Sequence, residues 1–316
     1  MRKLLLAVLA AGLATPVAAA DTLIAVTAIV EHPALDAARD GVKDGLAEAG
    51  FVDGDNITFT YESAQGQPAT AAQIARQFVG AGAAVIVPIS TPSAQAALAA
   101  TKDIPIVFTA VTDPVGAQLI SSMDMPGGNV TGVSDLSPLA DHLALIKEIT
   151  PDVANLGVLF NPGEPNSVTL VSILKEIAGD YGVTIIESPA TKSADAQQAA
   201  RALVGRADAM YVPTDNTVVS ALEAVVAVAE ENDLPLYSGD TDSVNRGALA
   251  SVGFDYYDVG LQTAELVLAV LNGENPGDIP ARVATGTDLF VNVGAAERMG
   301  VTVPEEVVAR ANTVVE

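Results

Sequence analysis

Two successive runs of short apolar segments alternating with helical segments constrain this chain more tightly than any other feature. The first run reads as strands at Leu23–Val30, Ile57–Glu62, Ala84–Ile89 and Ile106–Ala110, separated by helices at Pro33–Ala49, Ala69–Gly80 and Ser93–Lys102. Nearly continuous apolar strands are buried on both faces, so the pattern predicts a parallel sheet covered by helices on either side, with right-handed crossovers. The second run repeats it, with strands at Leu156–Phe160, Thr184–Glu187, Ala209–Val212 and Leu236–Ser238 and helices at Ser167–Tyr181, Ala194–Gly205 and Val218–Glu231. Val87-Pro88 followed by Ile104-Pro105-Ile106 is echoed by Val212-Pro213 followed by Leu234-Pro235-Leu236. A chain of 316 residues exceeds what one core comfortably fills. The expected fold is therefore α/β, with two doubly wound parallel-sheet lobes.

Three stretches are candidates for passages between the lobes. Pro126–Val133 carries Gly127, Gly128 and Gly132 beside a Val/Thr run. Gly253–Gly260 and Arg282–Asn292 are extended stretches flanking a helix at Val259–Leu271. The predicted division is a leader at 1–20, an N-terminal lobe of 21–133 plus 255–280, and a C-terminal lobe of 134–254 plus 281–316.

Arg2 and Lys3, the apolar run Leu4–Leu13 and the small residues Ala18-Ala19-Ala20 together read as a secretory signal peptide cleaved after Ala20. No cysteine stands at the cleavage point to carry a lipid, so the expectation is a protein free in the periplasm. The absence of cysteine also removes thiolate chemistry and disulfides, and two histidines, His32 and His142, argue against a histidine-rich metal centre. No cofactor is expected. A net charge of −24 repels phosphate backbones, so nucleic acid is a poor partner.

Ligands of open parallel α/β sheets bind beyond the carboxyl ends of the strands, where loops lead into helix N-termini. Six such loops supply the candidates. In the first half they are Glu31 and His32, then Ser90, Thr91 and Ser93, then Thr109, Ala110, Thr112 and Asp113. In the second half they are Asn161, Asn166 and Ser167, then Asp215 and Asn216, then Asp240. Hydroxyls ahead of a helix suit a carboxylate, and an aspartate suits an ammonium group. For any one of these residues, helix capping is the competing assignment. Catalytic patterns are missing: there is no G-x-S-x-G elbow, no Walker A loop and no strand-linked G-x-G-x-x-G, so an enzyme is not expected.

Glu31-His32-Pro33-Ala34-Leu35-Asp36, Gly127-Gly128-Asn129-Val130-Thr131-Gly132-Val133-Ser134, Asn161-Pro162-Gly163-Glu164 with Asn166-Ser167, and the segment Asn292–Ala309 resemble the substrate-binding proteins of ABC importers that include tryptophan/tyrosine-type members. The likeness covers nearly all of the chain after the leader. It implies a type I periplasmic-binding-protein fold with a three-segment hinge, an amino-acid ligand in the cleft, delivery to an ABC permease driven by an ATPase, and a monomer. It also implies that Ser90, Thr91, Thr109 and Thr112 hold the ligand carboxylate while Asn161, Asp215 and Asp240 hold its amino group. With no tryptophan in the chain, Phe108, Phe160, Phe254 and Tyr256 are left as either pocket wall or core. A sugar- or nucleoside-binding protein of the same fold is the nearest alternative, and an exported small-molecule enzyme a more remote one.

Overall fold

The computed structural model describes residues 22–316; the leader expected at 1–20 lies outside the described residues. The first half builds β1 (Thr22–Ala28), α1 (Pro33–Glu48), β2 (Ile57–Ser63), α2 (Pro68–Gly80), β3 (Val85–Ile89), α3 (Thr91–Ala100), β4 (Ile106–Phe108) and β5 (Val130–Ser134). Pro33 and Pro68 open their helices, where a missing backbone N–H leaves no helical bond unmade. In the second half come α4 (Leu139–Ile149), β6 (Asn155–Phe160), α5 (Pro165–Ile177), β7 (Thr184–Pro189), α6 (Ala196–Arg201), β8 (Ala209–Val212), α7 (Asn216–Val219), α8 (Leu222–Glu231), β9 (Leu236–Ser238), α9 (Asp242–Asn245) and β10 (Ala250–Phe254). The chain ends with α10 (Tyr256–Leu271), β11 (Arg282–Val283), β12 (Thr287–Asn292), α11 (Val293–Arg298), α12 (Glu305–Arg310) and β13 (Thr313–Val315).

One sheet is parallel throughout, in the order β2-β1-β3-β4-β5-β11. The other lobe holds the parallel set β7-β6-β8-β9 and the set β10-β12-β13, in which β10 and β12 run antiparallel. The two sets adjoin where the Leu249 N–H donates to Leu236 O. Each lobe has its own aliphatic core. Ile24, Leu46, Ile86, Ile106 and Phe108 centre the first, which Tyr256, Val259 and Val267 of α10 complete. Leu143, Ile146, Leu156, Leu159, Leu174 and Tyr211 centre the second. Helix α10 reaches the first core by lying against α1 at backbone contact. A Cβ on Gly41 would fall 2.1 Å from Tyr257 O, and one on Gly260 would fall 2.2 Å from Ala38 O.

Three differences from the sequence expectation have physical causes. Helix α4 was not anticipated, although it buries Leu139, Leu143, Ile146 and Ile149 at helical spacing. The helix expected over Val218–Glu231 starts earlier, at Asn216, because the Glu164 and Asp215 carboxylates accept the N–H groups of Asn216, Thr217 and Val218, and it is interrupted between Val219 and Leu222. The extended stretch expected to Gly260 ends at Phe254, where Asp255 caps α10 by accepting from the Tyr257 N–H. In addition, Ala281 and Ala284 pack in the first core and β11 pairs with β5, so residues 281–284 sit with the first lobe and not, as expected, with the second. The chain thus passes between lobes after β5, between β10 and α10, and between β11 and β12. This is the two-lobed, three-crossing architecture of the type I periplasmic-binding-protein fold.

Candidate ligand cleft

The carboxyl ends of the parallel strands of both lobes point at one cavity between the lobes. From the first lobe it is bordered by His32, Ala34, Leu35, Ser90, Ala110 and Thr112. From the second it is bordered by Asn166, Thr214, Asn216, Val219 and Asp240, and from the crossings by Asp135 and Tyr256.

The first-lobe wall is held in strained backbone. Ser90, which caps α3, has φ 76° and ψ 154°, and Ala110 has φ 52°; neither is glycine. The Ser90 N–H donates to Thr109 O at 3.0 Å, tying the two loops together. Thr91 Oγ1 and Ser93 Oγ are buried at the same helix start without a hydrogen-bond partner. His32 Nδ1 is likewise buried and unpartnered. Burial, with a smaller contribution from Arg246, pulls the His32 pKa down to about 3, so this ring is neutral at pH 7.

The second-lobe wall is backed by two buried carboxylates. Asp215 accepts from Ser167 Oγ at 2.6 Å, from the Asn161 N–H at 2.5 Å and from the Val218 N–H at 2.7 Å. Glu164 accepts from the N–H groups of Asn216 and Thr217 and from Thr217 Oγ1. Burial, reinforced by the neighbouring Glu164 charge, raises the Asp215 pKa. Asp240 accepts from the Ser243 N–H at 2.8 Å and from Ser243 Oγ at 2.7 Å, and burial raises its pKa as well. At the crossings, Tyr256 OH donates to Asp135 Oδ2 at 2.8 Å and Thr112 Oγ1 to Asp135 Oδ1 at 3.2 Å, so the first two passages are joined beside the cavity. Desolvation is the main cause of the raised Asp135 pKa.

The sequence candidates divide accordingly. His32, Ser90, Ala110, Thr112, Asn166, Asn216 and Asp240 border the cavity. The others have different surroundings. Glu31 is exposed and accepts from Gln65 Nε2; Asp113 caps its own turn at Gly116; Thr109 Oγ1 lies 2.8 Å from Thr263 Oγ1. Asn161, Ser167 and Asp215 form the layer behind the second-lobe wall, away from the amino-group contact implied for Asn161 and Asp215. Phe108, Phe160 and Phe254 are core residues, and Tyr256 is wall. Sequence reasoning missed Asp135, Thr214, Leu35 and Val219. Asp135 lies two residues beyond the predicted first crossing, and Thr214 opens a loop already singled out for Asp215 and Asn216, so both carried a positional signal.

The family described as ABC transporter substrate binding protein matches residues 23–315. A tyrosine-binding protein of Clostridioides difficile is 43% identical over 269 residues, covering 85% of this chain and 78% of that protein. Among solved structures, the ABC domain from Streptococcus pneumoniae in complex with L-Trp is 36% identical, with a TM-score of 0.90 over 94% of this chain and all of that one. The ligand-free, open structure of a substrate-binding protein with adhesive properties from Clostridium difficile is 40% identical, yet has a TM-score of 0.70 over 93% of this chain and 99% of that one. The better superposition goes with the lower identity.

Proposed function

Because the chain belongs to the family of ABC transporter substrate-binding proteins, we propose that it captures an aromatic α-amino acid between its lobes and carries it through the periplasm, as a soluble monomer without a lipid anchor, to an ABC permease. In this reading Ser90 and the start of α3 receive the carboxylate, and Asn166, Asn216 and Asp240 receive the ammonium group. Leu35, Val219, His32 and Tyr256 surround the side chain. The observation that carries it is the placement of unsatisfied polar atoms. Of seven buried side-chain N and O atoms without a partner among the described residues, His32 Nδ1, Asn166 Oδ1 and Thr214 Oγ1 belong to residues bordering the cavity, and Thr91 Oγ1 and Ser93 Oγ lie within three residues of Ser90. Unmade buried hydrogen bonds cost on the order of 1–3 kcal/mol each, so a polar ligand that completes them draws the lobes together. Buried Asp135 and Asp240 add a demand for positive charge.

The relatives that bind tyrosine and L-Trp support the aromatic class. Calorimetric titration with L-tyrosine, L-tryptophan, L-phenylalanine, aliphatic amino acids, sugars and nucleosides tests the proposal. The expected result is micromolar or tighter binding confined to aromatic amino acids, about 8 kcal/mol or more. Binding of a sugar or nucleoside with no response to any amino acid would overturn it.

A further inference from the structure

Glu164 precedes α5, is buried, and touches both cavity-bordering asparagines of the second lobe. Its Oε2 accepts from the Asn216 N–H at 3.1 Å, from Asn216 Nδ2 and, at 3.4 Å, from Asn166 Nδ2. Asn166 Nδ2 also donates to Thr214 O at 3.0 Å. Carboxylates and carbonyls only accept hydrogen bonds, so the NH2 end of each amide is committed to these partners. The oxygen ends follow. Asn166 Oδ1 is buried with no partner, and Asn216 Oδ1 accepts from no donor among the described residues.

We propose that Glu164 is a positioning residue that turns the side-chain oxygens of Asn166 and Asn216 toward the ligand, so that with Asp240 the second-lobe wall presents acceptors and selects a ligand bearing a primary ammonium group. An asparagine amide is nearly symmetric in shape, and without a fixed partner it presents either end. Glu164 removes that freedom at both positions with one carboxylate. The inference rests on the amino-acid reading above and adds the residue that sets its selectivity.

The test compares each amino acid with its counterpart lacking only the amine: L-tyrosine against 3-(4-hydroxyphenyl)propionate, and L-tryptophan against indole-3-propionate. Affinities are measured for the parent and for Glu164→Gln, with thermal melting to establish folding. The parent is expected to prefer the amino acid. The variant is expected to lose about tenfold or more of that preference by weakening the amino acid alone, the size of a charge-assisted hydrogen bond. Equal weakening of both ligands, or an unchanged preference, assigns Glu164 a purely structural role and overturns the inference. Should Glu164→Gln not fold, Asn166→Ala and Asn216→Ala remove the oriented oxygens directly, and an unchanged preference in both has the same consequence. A parent that binds no aromatic amino acid sinks the amino-acid reading itself; a parent that binds with variants that keep the preference sinks only the role of Glu164.

Discussion

Ser90 sits at φ 76° and ψ 154°, a region that glycine occupies freely and other residues only under strain of order 1–3 kcal/mol. Ser90 borders the cavity, so the strain is retained at the cleft. Ser90→Gly is therefore expected to raise the melting temperature of the ligand-free protein while weakening amino-acid binding about tenfold. Differential scanning calorimetry and titration calorimetry read the two effects separately, and a variant that gains neither stability nor a binding defect contradicts the assignment. The same scale shows where sequence reading stops. Asn161, Asn166, Asp215 and Asn216 all lie in loops at the correct end of the sheet, and sequence gives no reason to rank them. Pairing between loops decides it: Asp215 accepts the Asn161 N–H, while Glu164 accepts from Nδ2 of Asn166 and of Asn216, the two that border the cavity.

Helix α4 is tied to the second lobe through one buried histidine. His142 Nε2 lies 2.5 Å from Val252 O in β10, and a carbonyl only accepts, so Nε2 carries the proton and Nδ1 accepts from Tyr211 OH in β8 at 2.7 Å. Burial lowers the His142 pKa from 6.5 to about 4. A base depressed in the folded state stabilises the fold fully above its unfolded pKa, and that contribution is lost as the pH falls from 6.5 toward 4. His142→Gln should cost about 1–3 kcal/mol at pH 8 through the unpaired Tyr211 and Val252 groups, and should flatten the decline between pH 6.5 and 4. Urea unfolding across that range checks it; equal slopes in parent and variant would place the titration elsewhere. The apolar spacing of α4 was visible in Leu139, Leu143, Ile146 and Ile149. It falls outside the strand-first repeat, because the second lobe opens with a helix. Elements bounded by local signals, such as α1 and α2 behind their prolines, were legible to within a residue or two. The early start of α7 was not, because the Glu164 carboxylate that caps it stands some fifty positions away.

For the molecule as a whole, a ligand touching both lobes only when they are together shifts the population toward that state in proportion to its preference for it. Small-angle scattering should show the radius of gyration falling when L-tyrosine or L-tryptophan is added, whichever binds more tightly; identical profiles with saturating ligand would rule out closure. The sequence by itself determined the class of fold, two similar lobes with a cleft at the strand ends, because strand and helix periods and their repetition are local properties of the chain. It also carried enough of the family's spacing in Asn161–Ser167 and Gly127–Ser134 to indicate binding in place of catalysis. Only the tertiary structure decided that Asp135 and Tyr256 of two crossings meet beside the cavity, that residues 281–284 return to the first sheet, and which polar groups border the cleft. Each of these depends on contacts between segments far apart in sequence, where direction is set by packing and hydrogen-bond pairing and not by any local preference.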